Sequence, residues 1–225
     1  MTRTQLLSIQ VGLPRSFTSE PIDGPATALW TTAFQKLPVI GPVLIEKLNI
    51  AGDRQASPTH GGVDKAICVY PVEHYSYWKS ELDLPDLAYG SFGENLTLEG
   101  QTEEQACIGD SIALGEAVLQ ISQPRPPCWR LSRWWQRKDF AARMEQTGLT
   151  GWYCRVIEEG HVEAGVEVRL LDRPHPQWTI AAANELLYRN NCDFDRMSDL
   201  ATCEALAPSW RDLLTKRLAK LTQPT

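Results

Sequence analysis

The patterning of this chain changes once, at the stretch DRPHPQW, Asp172–Trp178. Pro174 and Pro176 interrupt helix and strand alike there. Before them lie short apolar runs at strand spacing, divided by glycine and proline. After them apolar residues recur at helical spacing. A chain ordered this way is expected to place about 170 residues of short strands and loops ahead of about 50 of helix. The expected fold is mainly β with a few helices, followed by a small all-α subdomain. The units are 1–174 and 175–225.

Individual elements follow from the same patterns. The runs LLSIQVG (Leu6–Gly12), AICVY (Ala66–Tyr70) and ENLTL read as strands, and PVLIEKLNIAGD contains another. The hairpin signal lies at SIALGEAVLQIS, with arms Ser111–Leu114 and Ala117–Ser122 about Gly115–Glu116. Pro71 is expected to open a helix, and Gly148 to close the one in FAARMEQTG. Trp152–Asp172 reads as two strands about a Gly160 turn. In the tail, Thr179 and Ser198 are expected to cap helices, and Ser209 with Asp212 to form a capping box for a third.

Composition excludes several classes of function. A net charge of −6 argues against a stable nucleic-acid binder or an anionic-membrane binder. The six cysteines, at 68, 107, 128, 154, 192 and 203, have neither zinc-knuckle nor iron–sulfur spacing. With no signal-like or membrane-spanning apolar run, the cysteines are expected to be reduced and the protein cytoplasmic.

One thiol stands in an unusual setting. In SQPRPPCWRL, Cys128 follows Pro124, Pro126 and Pro127 and lies between Arg125 and Arg130. Prolines stiffen the loop, and nearby cations favour the thiolate, which is the reactive and metal-binding form. The alternative is a small apolar residue packed in a proline turn. Two glycine loops accompany it. In HGGVDKA, His60 and Lys65 flank backbone suited to an anion, or simply a turn before a strand. In GSFGENLT, Asn95 is suited to a heterocycle and Glu94 to orienting Lys65 or an arginine; the alternative is a loop held by its own Asx-type bonds. Trp129, Trp134 and Trp135 suit either stacking on a flat ring or wedging a helix against the strands. His74, His161 and His175 have no metal-like spacing, and no GxSxG elbow is present.

The segments HGGVDKAICVYPVEHY, FGENLT, IGDSIALGEAVLQISQPRPPC and TGLTGWYCRVIEEGHV together resemble the MOSC domain, named for the C-terminal domain of molybdenum-cofactor sulfurases. Their order and spacing are most similar to the bacterial YiiM-type subgroup with its helical tail. The segment ATALWTTAFQKLPVIGP matches only loosely. The resemblance implies a closed β-barrel and a molybdenum–pterin cofactor (Moco), with Cys128 as catalytic residue and metal ligand. It implies reduction of N-hydroxylated compounds, such as hydroxylaminopurine-type base analogues, to amines. His60, Lys65 and Arg125 become the expected anion and pterin contacts. Asn95, Ser122 and Gln123 become polar contacts near the metal. Some relatives carry a fused iron–sulfur domain, which the cysteine spacing here excludes, so a separate electron-donating reductase is expected. Two other readings stay open: a metal-free thiol or sulfur-carrier protein using Cys128, and a cofactor carrier without turnover. The tail's apolar stripe suits packing on its own barrel, and leaves a homodimer open.

Overall fold

A computed structural model of the chain describes residues 3–19, 28–189 and 193–221. Its strands are β1 (Gln5–Val11), β2 (Arg15–Ser19), β3 (Ala28–Thr32), β4 (Leu37–Pro38), β5 (Val43–Glu46), β6 (Asn49–Ile50) and β7 (Ile67–Pro71). Then come β8 (Leu96–Glu99), β9 (Ser111–Leu114), β10 (Ala117–Pro124), β11 (Trp152–Glu158), β12 (Gly160–Val162) and β13 (Val168–Asp172). The helices are α1 (Glu73–Leu82), α2 (Trp129–Trp135), α3 (Phe140–Thr147), α4 (Ile180–Tyr188), α5 (Phe194–Thr202) and α6 (Pro208–Leu221). No helix among the described residues is long and apolar enough to cross a membrane.

Eight strands form one sheet in the order β13-β9-β10-β11-β7-β8-β1-β4. The hairpin forms as its alternation predicts, with Ala117 opposite Leu114 and Gly115 at φ +59°. β7 and β8 run parallel, which requires a crossover, and α1 supplies it. The sheet is strongly curled, yet the expected closed barrel is not formed. β1 meets the far edge only at the bridge Gln5–Glu167, flanked by bonds such as Leu6 N to Val166 O at 3.0 Å. An antiparallel ladder continued from that bridge would run back along residues 160–162, and these are already paired with β5. The sheet is therefore a half-barrel. With three helices before the tail and three within it among the described residues, the fold is mixed α/β rather than mainly β.

One apolar cluster lies against the sheet and extends into the tail, joining Leu6, Ile67, Leu119 and Trp152 to Leu186, Leu200 and Leu214. A second joins Tyr70, Trp78, Phe92, Phe140 and Met144 beneath α1 and α3. Burial of such side chains contributes roughly 1.5–3 kcal/mol each. Gly151 lies at φ +70°, and a Cβ there would collide with the Val69 carbonyl of the neighbouring strand. Gly151→Ala is therefore expected to lower stability by about 3 kcal/mol, read as a shift of the urea midpoint at unchanged slope.

Several local expectations shift. Pro71 ends β7, and α1 begins at Glu73. Gly160 opens β12 instead of forming a turn, so Trp152–Asp172 holds three strands. Gly148 closes α3, and Thr179 caps α4 by accepting from Ala182 N at 3.0 Å. Asp193, not Ser198, caps α5, because its carboxylate takes the Arg196 N–H at 3.0 Å one turn earlier. α6 starts at Pro208, which puts Ser209 inside the helix. Cys192 lies outside the described residues.

Candidate functional site

β10 ends at Pro124, and Arg125 N still bonds to Gly151 O at 3.1 Å. Pro126 and Pro127 have no N–H to continue the ladder, so the chain leaves the sheet there. Cys128 follows in extended conformation, φ −124° and ψ 157°, and its carbonyl accepts Leu131 N in the first turn of α2. The thiol is thus fixed between a strand and a helix. It is half-buried and faces a cavity of about 330 Å³, within the usual size range of small-molecule sites.

The structure brings five of the expected residues to that wall: His60, Lys65, Asn95, Arg125 and Cys128. They come from three separate stretches of chain. Arg125 is 6% exposed. Its Nη2 donates to Phe92 O, while Nη1 is buried without a partner. Such an orphaned, permanently charged donor beside a cavity suits an anionic ligand. Asn95 is different, because its amide is already used. Nδ2 donates to Asp53 Oδ2 at 2.9 Å, and Oδ1 accepts Cys68 N at 3.1 Å. It shapes the wall. Glu94 does not orient Lys65; it accepts Gly90 N at 2.8 Å, Phe92 N at 3.0 Å and the Tyr75 hydroxyl, closing its own loop.

Ser122 and Gln123 do not line the cavity. The Ser122 hydroxyl lies 2.5 Å from Asp64 O and 3.0 Å from Tyr153 O, where it fastens the His60–Lys65 loop to the sheet. Gln123 is fully buried and donates to Pro124 O at 3.2 Å.

Arg130, expected beside Cys128 as a cation, is also on this wall, and the sequence reading missed four others: Lys36, Asp53, Cys68 and Tyr153. Lys36 and Asp53 form a buried ion pair at 2.5 Å, and Asp53 also takes Gly12 N at 2.7 Å. Tyr153 stands opposite Cys68 in the β7–β11 ladder, so both side chains share one face. Alternation along AICVY and WYCRV marks them as facing together, but not toward a cavity. Burial pushes the Cys68 thiol up to about 11, which leaves it an inert neutral group.

Lys36, Arg54, Lys65, Arg125 and Arg130 outnumber the one acid, Asp53, on this wall, in a chain of net charge −6. The imbalance registers at His60. Burial, then the charges of Arg130, Arg125 and Lys65, lower its pKa from 6.5 to about 4. Between about pH 4 and 6.5 the unfolded chain binds the proton that the folded chain refuses. This contribution to stability is therefore complete above pH 6.5 and is lost as pH falls toward 4. His60→Gln is expected to flatten the stability profile in that window, as followed by urea titrations. An unchanged slope would refute it.

Among the described residues no three His, Cys, Asp or Glu side chains gather as a metal cage. The wall offers one accessible soft sulfur beside several cations. That donor set fits a metal that brings most of its own ligands on an anionic organic group.

Comparison with known proteins adds to this geometry. Residues 56–169 match the family model described as MOSC domain, and residues 178–221 that described as YiiM-like, 3-alpha helix domain. YflK of Bacillus subtilis is 39% identical over 220 residues, 97% of this chain and 96% of that protein. A Gibberella moniliformis protein named Reductase is 33% identical over 174 residues, 75% of this chain and 31% of its own length. The crystal structure of YiiM from Geobacillus stearothermophilus superimposes with a TM-score of 0.79 at 38% identity, covering 96% of this chain and 99% of that one.

Proposed function

This chain belongs to the MOSC domain family, with a YiiM-like three-helix domain at its C-terminal end, and from that premise we propose that it is a molybdenum–pterin oxidoreductase that reduces N-hydroxylated compounds, such as hydroxylaminopurine-type bases, to amines. The observation that carries this reading is the half-buried Cys128 thiol in a cation-walled cavity, beside the unpartnered Nη1 of buried Arg125. The relative named Reductase supports the redox class.

The residues present fit the group. Cys128 supplies one thiolate ligand to the metal. Arg125, Lys65 and Arg130 take the cofactor's phosphate, and neutral His60 offers a ring N–H to the same anion. When bound, the molybdenum centre supplies two-electron removal of oxygen from the N–OH group. The balance is R–NHOH plus two electrons and two protons giving R–NH2 and water. The protein's part is positional. The prolines hold the sulfur still, and the Asn95–Asp53–Lys36 network holds the facing wall. The electrons come from a separate reductase. The five described cysteines are unpaired thiols, the form expected in a reducing cytoplasm.

The test is to produce the protein in a host that makes the pterin cofactor and to measure molybdenum per chain. Reduction of 6-N-hydroxylaminopurine by the loaded protein is then assayed with an artificial electron donor. Near-stoichiometric metal together with turnover supports the reading. Metal without turnover points to a cofactor carrier. Metal-free protein, from a host whose other molybdoenzymes are loaded, points to a thiol or sulfur-carrier role for Cys128.

A further inference from the structure

The tryptophans of the chain, eight in all, differ sharply in exposure. Trp30, Trp78, Trp152, Trp178 and Trp210 are buried, and Trp134 and Trp135 are half-buried. Trp129 is 53% exposed. Packing accounts for the two that follow it in α2. Trp134 lies edge-on to Phe17 at 5.2 Å and against Phe34 at 5.4 Å, and Trp135 donates to Ser91 O at 2.9 Å. These contacts fasten α2 without Trp129. Leaving a large indole half in water gives up much of what burying it would contribute to folding.

Trp129 is nevertheless held in place. It sits between Cys128 and Arg130, both of which line the cavity. The Arg130 guanidinium carbon lies 4.7 Å from the centre of its ring. Trp30 of β3 supports it at 5.9 Å and 46°, and Arg133 lies 4.7 Å over Trp30 in turn. From Trp129 the aromatic row runs through Trp30, Phe17 and Trp134 to Phe34, which lines the cavity. Trp129 itself lies outside the cavity lining, so its exposed π-surface, one residue from the proposed metal ligand, is tied to the cavity wall through Arg130.

We propose that Trp129 is a specificity-determining residue whose indole stacks on the planar part of the substrate at the cavity mouth, with Arg130 holding the ring in position. This inference rests on the reading of the cavity as a site for N-hydroxylated compounds, and it assigns the preference for flat, base-like members to one side chain. Stacking on an aromatic ring tolerates any flat heterocycle and contributes nothing to a small aliphatic compound.

The experiment compares the cofactor-loaded parent with Trp129→Ala and Trp129→Phe, using 6-N-hydroxylaminopurine and N-methylhydroxylamine. Molybdenum per chain is measured in each preparation, to show equal loading. Trp129→Ala is expected to raise KM for the purine roughly tenfold at nearly constant kcat, as expected for one lost stacking contact. KM for N-methylhydroxylamine changes less than about twofold, because that compound has no ring to stack. Trp129→Phe restores most of the purine affinity. An unchanged purine KM in Trp129→Ala, or an equal loss with both compounds, overturns the proposal. A second readout does not depend on turnover. The emission of 2-aminopurine is quenched when it stacks, and saturable quenching by the parent that is absent with Trp129→Ala supports the platform. Equal quenching by both overturns it. If the parent reduces neither compound, the reductase reading fails, and the 2-aminopurine titration alone decides the role of Trp129.

Discussion

Cys128→Ser is expected to yield a folded protein that retains less than about a tenth of the parent's molybdenum and no measurable reductase activity. Serine keeps the shape but replaces a soft sulfur donor with a hard hydroxyl oxygen. The fold has little stake in this atom. The thiol is half-buried, belongs to neither apolar cluster and sits where the chain passes from strand to helix. The cofactor-free variant should therefore unfold within about 0.5 kcal/mol of the cofactor-free parent. Comparing cofactor-free forms matters, because a ligand bound only to the native state raises its apparent stability. Metal analysis beside a urea titration checks both halves. A serine variant that retained metal and turnover would end the assignment of Cys128 as ligand.

Arg125→Met should impair both stability and loading. The buried guanidinium donates to the Phe92 carbonyl, inside the loop that Glu94 closes through Gly90 N and Phe92 N. Methionine fills similar space but leaves that carbonyl without its donor and the buried carboxylate without a nearby cation. The expected loss of stability is about 3 kcal/mol. Metal content should fall as well, because the guanidinium lines the cavity and its Nη1 has no hydrogen-bond partner in the protein. Arg125→Lys separates the two effects. A lysine restores charge near Glu94 but not the planar fork, so stability should recover in part while cofactor loading does not. Full loading of the lysine variant would show that charge alone suffices there. Full loading of the methionine variant would remove Arg125 from the phosphate site.

The contrast between legible and hidden features follows the range of the interactions. The β9–β10 hairpin, the Gly148 stop and the Thr179 cap are each decided within a few residues, and each forms where the pattern puts it. The Ser198 expectation failed locally as well, since Asp193 offers an earlier and equally good acceptor to the helix. Whether the sheet closes is not a local matter. Residues 160–162 pair with β5, and Gln10 and Val11 of β1 pair with β4, so the ladder begun at Gln5–Glu167 does not continue.

The site divides in the same way. Cys128 was legible because proline restricts the very residues beside it, and His60 and Lys65 because glycines mark their loop. Ser122 and Gln123, which the resemblance implied as polar contacts, stand near Cys128 along the chain but outside the cavity lining. In a strand, nearness gives no common direction, and the β10–β11 register shifts between Ile121 and Gln123. Lys36, Asp53 and Tyr153 stand far from Cys128 in sequence and reach the cavity only through folding. By itself, then, the sequence determined the family, the stiff cysteine loop and the switch from strands to helices, because motif order and local backbone restriction are written in consecutive residues. Only the tertiary structure decided that the sheet stays open, that Asn95 is spent on Asp53, and that cations from distant segments meet around one sulfur. Pairing, burial and summed charge depend on which distant residues become neighbours.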